Sequence, residues 1–113
     1  MAYIPTIFCL YQFYTILFVN YFYNYFIEIR IFVEKRDGFN VLAKQTLWDI
    51  RHNLGMRNVT DLRYIMRYDI EGLSLDEYNA AKGTILSEPN ADVIYEETLP
   101  VEDGWKVFAM EYL

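Results

Sequence analysis

The sequence has few of the residues that catalytic and metal-binding sites require. It contains one cysteine, Cys9, and one histidine, His52. A single cysteine excludes an internal disulfide, and one cysteine with one histidine cannot assemble a Cys/His metal site. The sequence also has no glycine-rich phosphate loop, no Gly-Lys-Ser/Thr, no Gly-x-Ser-x-Gly and no His-Glu-x-x-His motif. We therefore expect no catalytic centre, no metal site and no cofactor site in this chain.

Basic residues are too few and too dispersed for a nucleic-acid partner. The chain has 10 Lys and Arg against 16 Asp and Glu, which gives a net charge of −6. Binding to phosphate backbones needs a clustered basic face, and the sequence has none. The length of 113 residues suits one domain with one core and is too short for a separate catalytic domain beside it.

The first 26 residues contain no charged side chain. Eleven of them are Tyr or Phe, and the first charge is Glu28. One interpretation is a membrane-spanning helix over residues 6–23, which would anchor the protein, because this segment is long enough and basic residues follow it. The polar residues Gln12, Asn20 and Asn24 and the density of Tyr count against that helix.

Other interpretations of this segment stay open. A cleavable signal peptide would need a positively charged start and a small-residue cleavage site, and neither is present. The composition is also that of A/T-rich codons, which favours a disordered or non-native extension, although no Met lies between Met1 and Met56. The remaining alternative is a native soluble element.

Residues 27–55 predict one strand, one turn and one helix. Four aliphatic residues alternate with other side chains and share one strand face: Ile27, Ile29, Ile31 and Val33. Asp37-Gly38 predicts the turn, and Asn40 is a favourable N-cap. The helix presents one apolar stripe and closes at Gly55; its members are Ala43, Leu47, Ile50 and Leu54.

The following residues repeat this order. Alternation predicts a strand over Leu62–Ile70 with one apolar and one largely charged face. Ser74 with Glu77 forms a capping box for a second predicted helix, which continues to Leu86. A third strand is predicted over Asp92–Leu99. A strand-like run from Trp105 then reaches Leu113 without a cap or polar tail, which is typical of a truncated chain.

These elements predict an α+β two-layer sandwich. Its order is β-α-β-α-β, with two helices on one face of a small, mainly antiparallel sheet, preceded by the aromatic N-terminal extension. The expected divisions are an uncharged leader (1–26), the α+β domain (27–99) and the start of a following region (100–113). Right-handed crossovers would leave one sheet face bare, so we expect a second copy or a neighbouring domain to cover it.

Four residues are candidates for an interface. Trp48 lies roughly a third of a turn away from the apolar stripe of its helix, where a partner can reach it. Arg63, Arg67 and Asp69 lie on the charged face of the second strand. The alternatives are partial burial of Trp48 within the domain and simple solvated pairing of the charged residues.

Three segments resemble a known family. They are RIFVEKRDGFNVLAKQTLWDIRHNLG, RYIMRYDIEGLSLDEYNAAKGTILSEPNADVIYEE and FAMEYL. They are similar to the N-terminal, small-subunit-like domain of the single-chain phosphoribosylformylglycinamidine synthase of purine biosynthesis, in truncated form. The most specific matches are Val33-Glu34-Lys35, Arg67-Tyr68-Asp69 with Glu71-Gly72, and Ser87-Glu88-Pro89. The resemblance covers about Ile29 to Leu113 and excludes the aromatic leader.

This resemblance implies a structural role in a ligase. The family enzyme makes formylglycinamidine ribonucleotide with ATP, Mg and glutamine-derived ammonia, and its catalytic sites lie in parts that this chain lacks. In multi-subunit versions, the similar small subunit forms dimers and bridges the synthetase and glutaminase components. The implied partners are therefore those components and a second copy bound through the sheet, in the cytoplasm. The alternatives are a small membrane-anchored interaction protein and the remnant of a degraded gene.

Overall fold

The computed structural model describes residues 6–17 and 27–111. Within these ranges the chain forms five strands and two helices. Their bounds are β1 Thr6–Leu17, β2 Ile27–Lys35, α1 Val41–His52, β3 Val59–Leu73, α2 Leu75–Lys82, β4 Asp92–Glu96 and β5 Trp105–Glu111. The α+β class predicted from the alternating patterns is confirmed.

All five strands belong to one sheet with the order β4-β2-β3-β1-β5. β2 pairs antiparallel with both β3 and β4. β1 lies parallel to both β3 and β5, with Leu10 opposite Tyr64 on one side and Phe108 on the other. The sheet is therefore antiparallel across β4, β2 and β3 and parallel across β3, β1 and β5.

The structure corrects the interpretation of the aromatic leader. Thr6–Leu17 is a strand inside the sheet, so this part of the leader belongs to the fold. It is not the helix that one alternative placed over residues 6–23. Residues 18–26 of that alternative lie outside the described residues. In the described ranges, no helix is long and apolar enough to cross a membrane.

The main core lies where α2 meets the sheet. Its buried residues come from β2, β3, α2 and the turn after α2: Ile31, Val33, Ile70, Leu73, Tyr78 and Leu86. Ile31 and Ile70 are almost completely inaccessible to solvent, and each such aliphatic side chain stabilises the fold by about 1.5–3 kcal/mol relative to an exposed position. The predicted aliphatic face of β2 is thus the face that α2 covers.

Helix α1 packs against β3 but is shorter than its apolar stripe. Ala43 is buried and Leu47 and Ile50 are half-buried, as the stripe predicts. Leu54 is exposed, which corrects its predicted core position, because the helix ends at His52 and Gly55 (φ 69°) then reverses the chain. Asn40 occupies the predicted N-cap position, but its side chain makes no capping hydrogen bond.

Helix α2 begins as the sequence predicts and ends early. Both hydrogen bonds of the capping box are present: the Glu77 amide donates to Ser74 Oγ (3.2 Å), and the Ser74 amide donates to Glu77 Oε1 (3.1 Å). The helix stops at Lys82 because Gly83 follows, and glycine weakens a helix. The predicted helix continued to Leu86 and so included Ile85, which instead lies after the end of α2 and is exposed.

Candidate interaction surfaces

The sheet face opposite the core of α2 carries most of the candidate interface residues, and we call it the open face. Strand alternation places Phe32 and Glu34 of β2 on it, together with Arg63, Ile65 and Arg67 of β3. This side was predicted to be charged, with one isoleucine. The structure shows a mixed surface, in which an apolar cluster lies beside two groups of ion pairs.

Arg63 and Glu34 form the most enclosed ion pair on the open face. The guanidinium donates from Nη2 to Glu34 Oε1 (2.7 Å) and from Nε to Oε2 (2.9 Å), which is bidentate geometry. Only 19% of the Arg63 side chain and 17% of the Glu34 side chain is exposed. Tyr95 Oη also donates to Glu34 Oε1 (3.3 Å), and burial together with this carboxylate raises the pKa of Tyr95. Each charge of the pair is therefore partly removed from water and compensated by the other.

Arg63 also connects β3 to the segment that leads into β5. Its Nη1 donates to the backbone oxygen of Pro100 (2.8 Å), and its guanidinium carbon lies 5.7 Å from the centre of the Trp105 ring. Trp105, Leu99 and Tyr95 pack beside the buried side chains of Phe32 and Ile65. The open face thus has its own small core. The Arg63 guanidinium, which donates three hydrogen bonds, lies beside one member of it, Trp105.

A second charged group lies further along β3. Arg67 donates two hydrogen bonds to Asp69, from Nε (2.9 Å) and Nη2 (2.8 Å). Arg30, opposite Asp69 on β2, donates from Nε to Asp69 Oδ1 (3.0 Å). The Arg67 hydrogen bond lowers the pKa of Asp69 most; partial burial opposes this effect, and Arg30 adds to it. Three of the predicted interface residues therefore share one sheet face, and all three form ion pairs.

Trp48 belongs to a different surface, on α1. Trp48 is 54% exposed, which agrees with the alternative of partial burial within the domain and leaves the rest of the residue accessible. Its ring stacks on His52, one helical turn later, with centroids 4.5 Å apart and planes inclined by 15°. An exposed, pre-oriented aromatic ring is suited to contact with a partner, because little conformational entropy is lost when it is covered.

A groove borders α1 and the turn that follows α2. Its volume is about 920 Å³. Leu42 and Leu47 line it from α1, Met66 from β3 and Ile85 from the turn. Charged residues, including Lys35, Lys44 and Asp61, line it as well, so the groove is mixed in character.

Sequence reasoning missed the Glu34–Arg63 pair and the small core beside it. The signal was present, since opposite charges occur on the same faces of two neighbouring strands, but the strand register that brings them together cannot be read from either strand alone.

In the part of the chain that the structure describes, no group of three or more His, Cys, Asp and Glu residues is placed to hold a metal ion. Comparisons with models of protein families, with curated proteins and with solved structures found no match.

Proposed function

We propose that this chain is a structural module of a purine-biosynthesis ligase, the ATP- and glutamine-dependent formylglycinamidine ribonucleotide synthase. In this proposal it bridges the synthetase and glutaminase parts and has no catalytic centre of its own. ATP and Mg bind to the other parts of the ligase, and the assembly is cytoplasmic. The proposal starts from the segment resemblance, which spans β2 to β5.

The observation that carries the proposal is that the most specific matching residues make structural contacts. Lys35, from the first match, forms an ion pair with the buried Asp92 (Nζ to Oδ1, 3.0 Å). The Glu88 amide, from the third match, donates to the other carboxylate oxygen of the same aspartate (2.8 Å), and Ser87 Oγ donates to the Lys82 carbonyl (2.6 Å). These residues join the end of α2 to the start of β4. Residues that hold two elements together in this way favour a structural role for the matching segments over a catalytic one.

Two surfaces are available for the partners in this proposal. On the open face, the Asp69 side chain is 34% exposed and is held by Arg67, which is 15% exposed; α1 presents Trp48. A module that bridges two components needs two such surfaces, and their different chemistry would let each component recognise only one of them. The open face is also the surface through which two copies would form a homodimer.

Co-purification with the synthetase and glutaminase parts tests the proposal. We expect both Trp48→Ala and Arg67→Ala to weaken association. The first removes an exposed ring, and the second removes the group that holds the Asp69 carboxylate in place. Gln45→Ala on α1 and Arg36→Ala in the loop before α1 are matched controls at exposed positions, and we expect both to associate normally. Far-UV circular dichroism checks that each variant is folded. Unchanged co-purification of both Trp48→Ala and Arg67→Ala would contradict the proposal.

A further inference from the structure

The turn between β2 and α1 contains an Asp-Gly pair. Asp37 and Gly38 are its central residues, and the Phe39 amide closes it with a hydrogen bond to the Arg36 carbonyl (2.9 Å). The Asp37 side chain is 95% exposed. Gly38 adopts φ 91°, and apart from its chain neighbours no atom lies within 4 Å of the position that a Cβ would take. The pair is therefore open to water and little hindered by other groups.

The Asp37 carboxyl group lies beside the amide nitrogen of the next residue. The Gly38 amide donates to Asp37 Oδ1, with 3.2 Å between the nitrogen and the oxygen. The nitrogen is thereby also close to the carboxyl carbon, which is bonded to that oxygen. Proximity of this kind raises the rate of an intramolecular reaction when the two groups can reach the reactive orientation. Here that orientation requires rotation of the peptide group between the two residues, which glycine permits because it has no side chain.

An Asp-Gly pair with these properties can change its main-chain linkage with water as the only other reactant. The Gly38 nitrogen forms a bond to the side-chain carboxyl carbon of Asp37, and one water molecule leaves, which gives a five-membered succinimide ring. Water then opens the ring at either carbonyl carbon. Cleavage of the bond to the side-chain carbon restores aspartate, whereas cleavage of the bond to the main-chain carbon leaves isoaspartate. In isoaspartate the chain runs through the side-chain carboxyl group, so the main chain is one carbon atom longer.

Two other sites each share part of this arrangement. Asp103-Gly104 lies in an exposed turn before β5, and Gly104 adopts a similar φ of 93°. Among the described residues, no hydrogen bond joins the Gly104 amide to the Asp103 carboxylate. Asp61 does accept from the amide of the next residue (2.8 Å), but that residue is the buried Leu62 and both lie within β3. Of these three sites, Asp37 alone combines the contact with a following glycine and an exposed turn.

We propose that Asp37-Gly38 is a site of spontaneous isoaspartate formation and that the fold favours it over Asp103-Gly104. This reaction belongs to the chain itself, so it goes beyond the proposed function and does not depend on it. A chain that fails to associate with the ligase parts can still form isoaspartate, and the reverse also holds.

Isoaspartate lengthens a connection whose two ends are held in place. At its start the Arg36 amide donates to the Ala91 carbonyl (2.7 Å), and at its end α1 packs against β3. The extra carbon atom displaces the Phe39 amide from the Arg36 carbonyl, and the Asn40 side chain forms no cap that could compensate. Isoaspartate therefore loosens the start of α1, the helix that carries Trp48.

Peptide mapping of the full chain tests the proposal. The protein is kept at neutral pH and physiological temperature, and samples taken over several weeks are digested with the lysine-specific protease Lys-C. The three aspartates then fall in separate peptides, 36–44, 45–82 and 83–106, and electron-transfer fragmentation distinguishes isoaspartate from aspartate in each. We expect isoaspartate to form at Asp37 at least about threefold faster than at Asp103. Formation at Asp61 should be the slowest, because β3 prevents the rotation.

Incubation in guanidinium chloride separates the effect of the fold from that of the dipeptide. In the unfolded chain neither Asp-Gly pair is held in a turn, so the ratio of their rates should fall close to one. Asp37→Glu should abolish the reaction at that position, because the larger ring forms much more slowly, and leave the rate at Asp103 unchanged. Asp103→Glu is the matched control and should leave the rate at Asp37 unchanged. Equal rates at the two pairs in the folded chain, or a preference for Asp37 that persists after unfolding, would overturn the proposal.

Discussion

Replacing Arg63 by methionine tests the energetic role of the open face. The variant keeps most of the aliphatic length but leaves Glu34 without its bidentate partner and the Pro100 carbonyl without its donor. Removing one partner of a fully buried ion pair costs about 3–5 kcal/mol. Since both side chains retain some exposure, 19% and 17%, water screens part of this loss. We expect the free energy of unfolding to fall by about 2–3 kcal/mol, a large share of the total stability of a small domain.

Urea unfolding followed by far-UV circular dichroism measures this change. A double-mutant cycle with Glu34→Gln separates the pair from the other contacts of Arg63, and we expect a coupling energy of about 1–3 kcal/mol. Arg36→Met, at an exposed position before α1, is the control and should change stability by less than about 0.5 kcal/mol. A similarly small effect for Arg63→Met, or additive effects in the cycle, would refute the reasoning.

Three further predictions concern other parts of the fold. Glu97→Gly should raise the free energy of unfolding by about 0.5–1 kcal/mol, measured by urea denaturation, because φ 66° strains a side chain but not glycine. Tyr78→Phe should lower the free energy of unfolding by about 1 kcal/mol, because the Tyr78 hydroxyl donates to Glu96 (3.0 Å). Burial and this carboxylate raise the pKa of Tyr78, so the stability difference between the two proteins should be full below pH 10 and decrease above it. Asp69 has a lowered pKa in the fold, so its stabilisation should be present above its ordinary value of 3.8 and disappear as the pH falls below it. Arg67→Gln should flatten that acid dependence in thermal melts.

The elements with strong local signals were predictable from the sequence. The alternation in β2 and β3 and the Ser74–Glu77 capping box depend on neighbouring residues, and the structure confirms all three. The helix ends were less predictable, because an apolar stripe continues past the point where the backbone leaves the helix. Leu54 is the clearest example: it fits the stripe of α1 by spacing, yet it lies two residues after the last helical residue.

The long-range arrangement could not be predicted. Residues 6–17 lack charge, so their sequence shows no contrast between two faces and does not distinguish a strand from an apolar helix. Their position between β3 and β5 depends on parallel pairing across more than forty residues of sequence, for example between Cys9 and Arg63. The burial of Ile65 has the same origin, because its neighbours Tyr95 and Trp105 come from distant strands.

We propose above all that this chain assists assembly of the ligase without catalysing a step. The most direct measurement is the rate of formylglycinamidine ribonucleotide synthesis by a single-chain synthase that lacks its own N-terminal domain, with and without this chain added. With glutamine as the nitrogen source, we predict that the chain raises the rate saturably. With free ammonia, which does not need the two parts to be aligned, the rate should not change. No increase in the glutamine-dependent rate at saturating chain concentration would contradict the claim.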